Sequence, residues 1–102
     1  MAIVNLGKVV VTQRIAHWMM NQSTTDASRF VGGCLGRHAA GDWGDLDDED
    51  RNGNEWAVLN GNRILSAYKL PEELHKNTPG RAIWISTEAD RSVTTILWPS
   101  EY

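Results

Sequence analysis

Apolar positions along this chain first alternate, then recur at helical spacing, then alternate again. The stretch 3–12 (IVNLGKVVVT) is rich in β-branched residues, with Val9 and Val11 on one face and Lys8 and Val10 on the other. This predicts a strand that Gly7 weakens or bulges. At Thr12 the pattern changes. Ile15, Trp18 and Met19 stand at i, i+3 and i+4 behind a threonine that can cap, which predicts a short helix ended by the polar run 21–25. The second helix is the clearest element. Thr24 or Thr25 can cap it, Asp26 suits its positive end, and Ala27, Phe30, Val31, Cys34 and Leu35 form one apolar stripe. Gly32, Gly33 and Gly36 each cost up to about 1 kcal/mol relative to Ala, so close packing against a neighbour is expected there. Gly41 reads as the stop.

Asp47 opens a third predicted helix, with Asp48, Glu49 and Asp50 in a first turn where the helix dipole favours negative charge. Trp56 and Leu59 share a face and are expected in the core, and Asn60-Gly61-Asn62 ends the helix. The remainder alternates. Strands are predicted at 63–70, 81–87 and 92–98, the last two joined by the short link Glu88–Arg91 that suits a hairpin, with one helical turn at Pro71–Glu73 and a turn at Thr78-Pro79-Gly80. The order β-α-α-α-β-β-β implies a single α+β domain over 1–102, its mainly antiparallel four-stranded sheet covered on one face by helices. A chain of 102 residues, 41% apolar and 23% charged, has the size and composition for one such core.

Charge changes the picture. The formal net charge is only −3, yet six of the thirteen acids fall at 42–50, a stretch without Lys or Arg. Ten basic residues face the remaining seven acids elsewhere, so the molecule carries an acidic knob on a mildly basic body. Such a knob steers basic partners and disfavours nucleic acid, whose phosphates need Lys and Arg. No apolar run approaches the roughly 18–20 residues of a membrane span, and the first residues do not read as a secretion signal. The lone Cys34 forms no disulfide within the chain and matches no paired-cysteine pattern. The expectation is a cytoplasmic protein without membrane attachment or cofactor.

Candidate chemistry is sparse. Asp48, Asp50, Asn52 and Gly53 fit the opening of an EF-hand loop, but Leu59 stands where the bidentate carboxylate must be. His38 with Asp42 and Asp45 can form a two-carboxylate, one-histidine cluster for a metal-dependent enzyme or hydrolase, with Glu88, Asp90 and Arg91 converging from the hairpin; alternatively His38 finishes the second helix. Cys34 lies in the apolar stripe, where burial makes a poor nucleophile. No G-x-S-x-G elbow or glycine-rich phosphate loop occurs. Among five tryptophans, Trp18, Trp56 and Trp84 fit core positions. Trp43, flanked by acids, is either an anchor for a partner or a lid folded back on the core.

The blocks RHAAGDWGDLDDED, NRILSAY and WISTEADRSVTTILWPSEY, all within 37–102, resemble a family of small bacterial proteins carried on plasmids, integrative elements and prophages. Members of that family are sometimes labelled as a type I restriction methylase subunit, but this chain has neither the glycine-rich cofactor motif nor the catalytic tetrapeptide of a methylase. It also departs from the family pattern in its first third, in the PEELHKNTPG connection, and at Trp98 and Ser100. The resemblance implies an accessory protein of a mobile element. The resulting expectation is a non-enzymatic inhibitor of a host nucleic-acid-directed defence complex, of anti-CRISPR or anti-restriction type, binding a basic protein surface through Asp42, Trp43, Asp45, Asp47, Asp48 and Asp50. The competing expectations are the His38/Asp42/Asp45 enzyme and a self-associating protein, a homodimer for example, pairing through an edge strand at 3–12 or 63–70.

Overall fold

A computed structural model describes residues 3–22, 25–76 and 78–102. Strand β1 (Lys8–Val11) leads into helices α1 (Gln13–Met20), α2 (Asp26–Ala39) and α3 (Asp48–Asn60). Strands β2 (Ile64–Lys69), β3 (Ala82–Thr87) and β4 (Val93–Leu97) follow, with short 3-10 turns at Glu72–Leu74 and Pro99–Glu101. The element order expected from the sequence is therefore present.

The sheet has the four strands expected and is antiparallel in two of its three pairings, but it is mixed, with strand order β1-β4-β3-β2 and one parallel pair. Strands β2, β3 and β4 form an antiparallel meander, while β1 pairs in parallel with β4, Val9 opposite Thr94 and Val11 opposite Ile96. The cause is a crossover. Three helices carry the chain from one sheet edge to the other, so the first strand ends beside the last and runs the same way. Pairing direction across so long a connection leaves no local trace in the sequence.

Period-2 alternation puts Tyr68, Ile83, Ile85 and Ile96 against Ile15 and Trp18 of α1 and Ala27, Val31 and Cys34 of α2. A second cluster joins Val4, Trp43, Ala57 and Ile64. Thr12 caps α1 by accepting from the Ile15 amide at 3.2 Å, and Asp47 caps α3 by accepting from Asp50 at 2.8 Å. Thr25 stands at the N-cap of α2 without a side-chain bond, and Thr24 lies outside the described residues. Helix α2 packs into the core as expected, through Ala27, Val31 and Cys34, while a Cβ on Gly32, Gly33 or Gly36 would meet nothing within 4 Å, so the glycines themselves are not at that contact.

Helix α3 corrects a further expectation. Its buried residues are Asn54 and Ala57, while Trp56 and Leu59 are 58% and 84% exposed. The Asn54 side chain accepts from the Leu65 amide at 3.2 Å and donates to the Leu65 carbonyl at 2.7 Å, which pins α3 along the outer edge of β2. Trp84 is half-buried on the sheet, edge-on to Tyr102 at 5.3 Å. No helix among the described residues is long and apolar enough to cross a membrane.

Candidate functional site

The acidic segment is built mostly as structure. Arg37 Nε and Nη2 donate to the Asp42 carboxylate at 2.7 and 3.2 Å, and this pairing holds Asp42 below the usual carboxylate range. The same guanidinium lies 4.9 Å over the Tyr68 ring, whose hydroxyl donates to the Asp42 carbonyl at 2.7 Å. Asp45 donates its amide to the Ala67 carbonyl at 2.8 Å, while its carboxylate accepts from the Lys69 amide at 2.9 Å. Asp47 is spent on the cap of α3.

Trp43 is the lid and not the anchor. It is 2% exposed in the second core cluster, its Nε1–H donates to Glu55 Oε1 at 2.8 Å, and it meets His38 edge-on at 5.9 Å. It therefore leaves the binding set. Gly44 (φ +75°) turns the chain immediately afterwards, and the bridge from Gly44 to Ala67 lays the loop along β2. With Asn54 on Leu65, the outward backbone groups of β2 at Leu65 and Ala67 are occupied, so the 63–70 edge is closed to another strand. On β1 the Lys8 and Thr12 amides donate to Ser92 and Ile96, which turns the amides and carbonyls of Val9 and Val11 away from the sheet.

The carboxylates of the acidic segment without a partner among the described residues lie on α3. The carboxylates of Asp48, Glu49 and Asp50 are exposed and make no hydrogen bond or ion pair with the described residues. Asp48, Asn52, Trp56 and Leu59 follow at i, i+4, i+8 and i+11, one outward stripe of the helix. The three would-be calcium ligands and Gly53 sit within this continuous helix, which has no binding loop. The sequence predicts Trp56 in the core and leaves Trp43 as anchor or lid; the exposed position of Trp56 depends on α3 lying at the sheet edge.

His38 does not join Asp42 and Asp45. It follows Ala27, Val31 and Cys34 on the buried stripe of α2 and is fully buried, with Nδ1 2.6 Å from Ser66 Oγ and Nε2 2.8 Å from Thr87 Oγ1. The relay continues from Thr87 to Thr94 at 2.7 Å, and Thr94 Oγ1 donates to the Leu6 carbonyl at 2.7 Å. Each hydroxyl has one proton, so the direction is set from that end. Thr94 donates to Leu6, so Thr87 donates to Thr94 and His38 Nε2–H donates to Thr87; in the neutral ring Nδ1 is then bare and accepts from Ser66. The ring is held neutral. Burial, with the nearby Arg91 charge adding to it, brings its pKa down to about 4. A Ser–His pair at hydrogen-bond distance resembles a nucleophile with its base, but both groups are 0% exposed and so out of reach of substrate. Among the described residues no three His, Cys, Asp or Glu side chains are grouped to hold a metal ion.

The hairpin residues also do structural work. Arg91 (φ +62°) donates to the carbonyls of Asn62, Glu88, Ala89 and Ala57 at 2.6–3.2 Å, closing the C-terminal end of α3. Asp90 accepts from the Ser92 amide at 3.0 Å, and Glu88 pairs loosely with Arg63 at 3.4 Å. Replacing Arg91 with Met keeps the stem and strips these bonds, so a loss of about 2 kcal/mol in urea unfolding is expected. Cys34 is buried, and burial pushes its thiol up to about 11, which makes it unreactive at neutral pH.

No protein-family model, curated protein or solved structure matches this chain.

Proposed function

We propose that this chain is a non-enzymatic accessory protein of a mobile genetic element that binds a basic surface on a nucleic-acid-directed host defence complex through the outer stripe of α3. The observation that carries this reading is the pairing of Trp56 and Leu59, 58% and 84% exposed one turn apart, with the free carboxylates of Asp48, Glu49 and Asp50 on the same helix. A large aromatic and an aliphatic side chain supply contact energy, and the acids select a basic partner and speed its approach. The mobile-element setting rests on the sequence blocks at 37–50, 62–68 and 84–102.

Binding to purified restriction and CRISPR effector complexes, measured at low and high salt, tests the reading. The double variant Trp56→Ala/Leu59→Ser should weaken binding about thirtyfold or more. Asp48→Asn/Glu49→Gln/Asp50→Asn should slow association and flatten its salt dependence. Both sets are exposed, so the fold persists. Failure to bind any of these complexes, or undiminished affinity in both variants, overturns the reading.

A further inference from the structure

A groove of about 890 Å³ runs between α1 and the chain around Lys76 and Pro79, with Trp18 and Trp98 in its wall. That volume suits a small organic molecule, which typically takes roughly 300–1,000 Å³. Arg14, His17 and Lys76 line it, and no acidic residue does. Arg14 and Lys76 are exposed and form no ion pair with the described residues. In a chain of net charge −3 this is a local surplus of positive charge, which focuses on an anion.

The second observation is independent of charge. Trp18 lines the groove, is 5% exposed, and carries the one buried side-chain N–H among the described residues that lacks a hydrogen-bond partner. Such an orphan donor costs about 1–3 kcal/mol, and a ligand oxygen accepting from it removes the cost.

We propose that this groove binds a small organic phosphate, a dianionic monoester held by Arg14 and Lys76, with its organic body along Pro79 and an acceptor oxygen on the Trp18 indole. Arg offers a planar fork to phosphoryl oxygens and Lys a point charge, and two cations match the charge of a monoester. The groove and the α3 stripe share no residue, so the two readings stand or fall separately.

Titration of the isotope-labelled full chain with adenosine monophosphate, followed through its five indole N–H resonances, tests the proposal. The Trp18 signal, identified by its loss in Trp18→Phe or from backbone contacts if that variant does not fold, should move saturably at submillimolar ligand. Adenosine alone should leave it in place. Arg14→Gln/Lys76→Gln, at exposed positions, should weaken binding about tenfold or more with the rest of the spectrum preserved. An unmoved Trp18 signal at millimolar nucleotide, or equal affinity in the double variant, overturns the proposal. So does equal binding of adenosine, and inorganic phosphate matching the nucleotide overturns the organic part of the assignment.

Discussion

Gly44→Ala is expected to destabilise the fold by about 4 kcal/mol or more, enough to leave many domains of this size largely unfolded. A Cβ there would lie 2.0 Å from the Ala67 carbonyl oxygen and under 3 Å from the Tyr68 ring, at a φ of +75° that L side chains resist. The obstacle is backbone, so relief requires the loop to lift from β2. Lifting it breaks the bonds from Ala67 to the Trp43 carbonyl and from Asp45 to Ala67, and draws Trp43 out of its cluster. Gly61→Ala is the control. Gly61 has a similar φ of +69° with nothing within 4 Å, so only the conformational cost applies, about 1 kcal/mol. Urea unfolding of the two variants should separate close approach from backbone strain; equal losses would mean that the 43–45 loop does not rest on β2 as described.

The second large effect is a pH dependence carried by His38. Its folded pKa of about 4 lies below the ordinary 6.5, so the unfolded chain takes up the proton first. Stability from this group is therefore complete above the ordinary pKa and falls as pH drops through the window from 6.5 to about 4. The full loss is on the order of 3 kcal/mol, from the linkage of about 1.4 kcal/mol per pKa unit. The structural cause is burial, with the Arg91 charge adding to it: a proton on Nδ1 would place a charge in a fully buried site. His38→Gln should be less stable than the parent at neutral pH, because Ser66 and Thr87 lose matched partners, and should show a shallower decline between pH 6.5 and 4. Comparing slopes removes the contribution of the carboxylates, which titrate in both proteins. Parallel slopes would rule out a neutral buried imidazole.

What could be read from the sequence was local. The α1 cap at Thr12, the α2 stripe, the acidic start of α3 and the β3–β4 hairpin each follow from spacing within a few residues, and each is present. His38 was half legible: it continues the stripe of Ala27, Val31 and Cys34 by one turn, but its partners on β2 and β3 lie 28 and 49 residues away. Trp43 and Trp56 exchanged their expected roles for a similar reason. Charged neighbours mark exposure for a loop on average, and a tryptophan with a leucine three residues on marks the buried face of a helix on average. The position of α3 beside the β2 edge, set by Asn54 on Leu65, overrides both. Of the six acidic-segment residues expected to bind a partner, Asp42, Asp45 and Asp47 also have folding tasks, each carboxylate accepting a bond that holds the loop or caps α3. Charge density alone does not distinguish a cap from a free carboxylate.

The unequal treatment of the two sheet edges limits how copies of this chain can associate. An edge that accepts a new strand on both sides propagates without end, and fibres grow that way. Here the β2 side is filled by Asn54, Trp43 and Asp45, and among the described strand residues Val9 and Val11 of β1 present unpaired backbone outward. Any strand-to-strand association of the native fold would therefore close after two molecules, with no second strand edge among the described residues from which a third could be added. Loss of the 43–45 loop from β2 would remove that stop and leave both edges open.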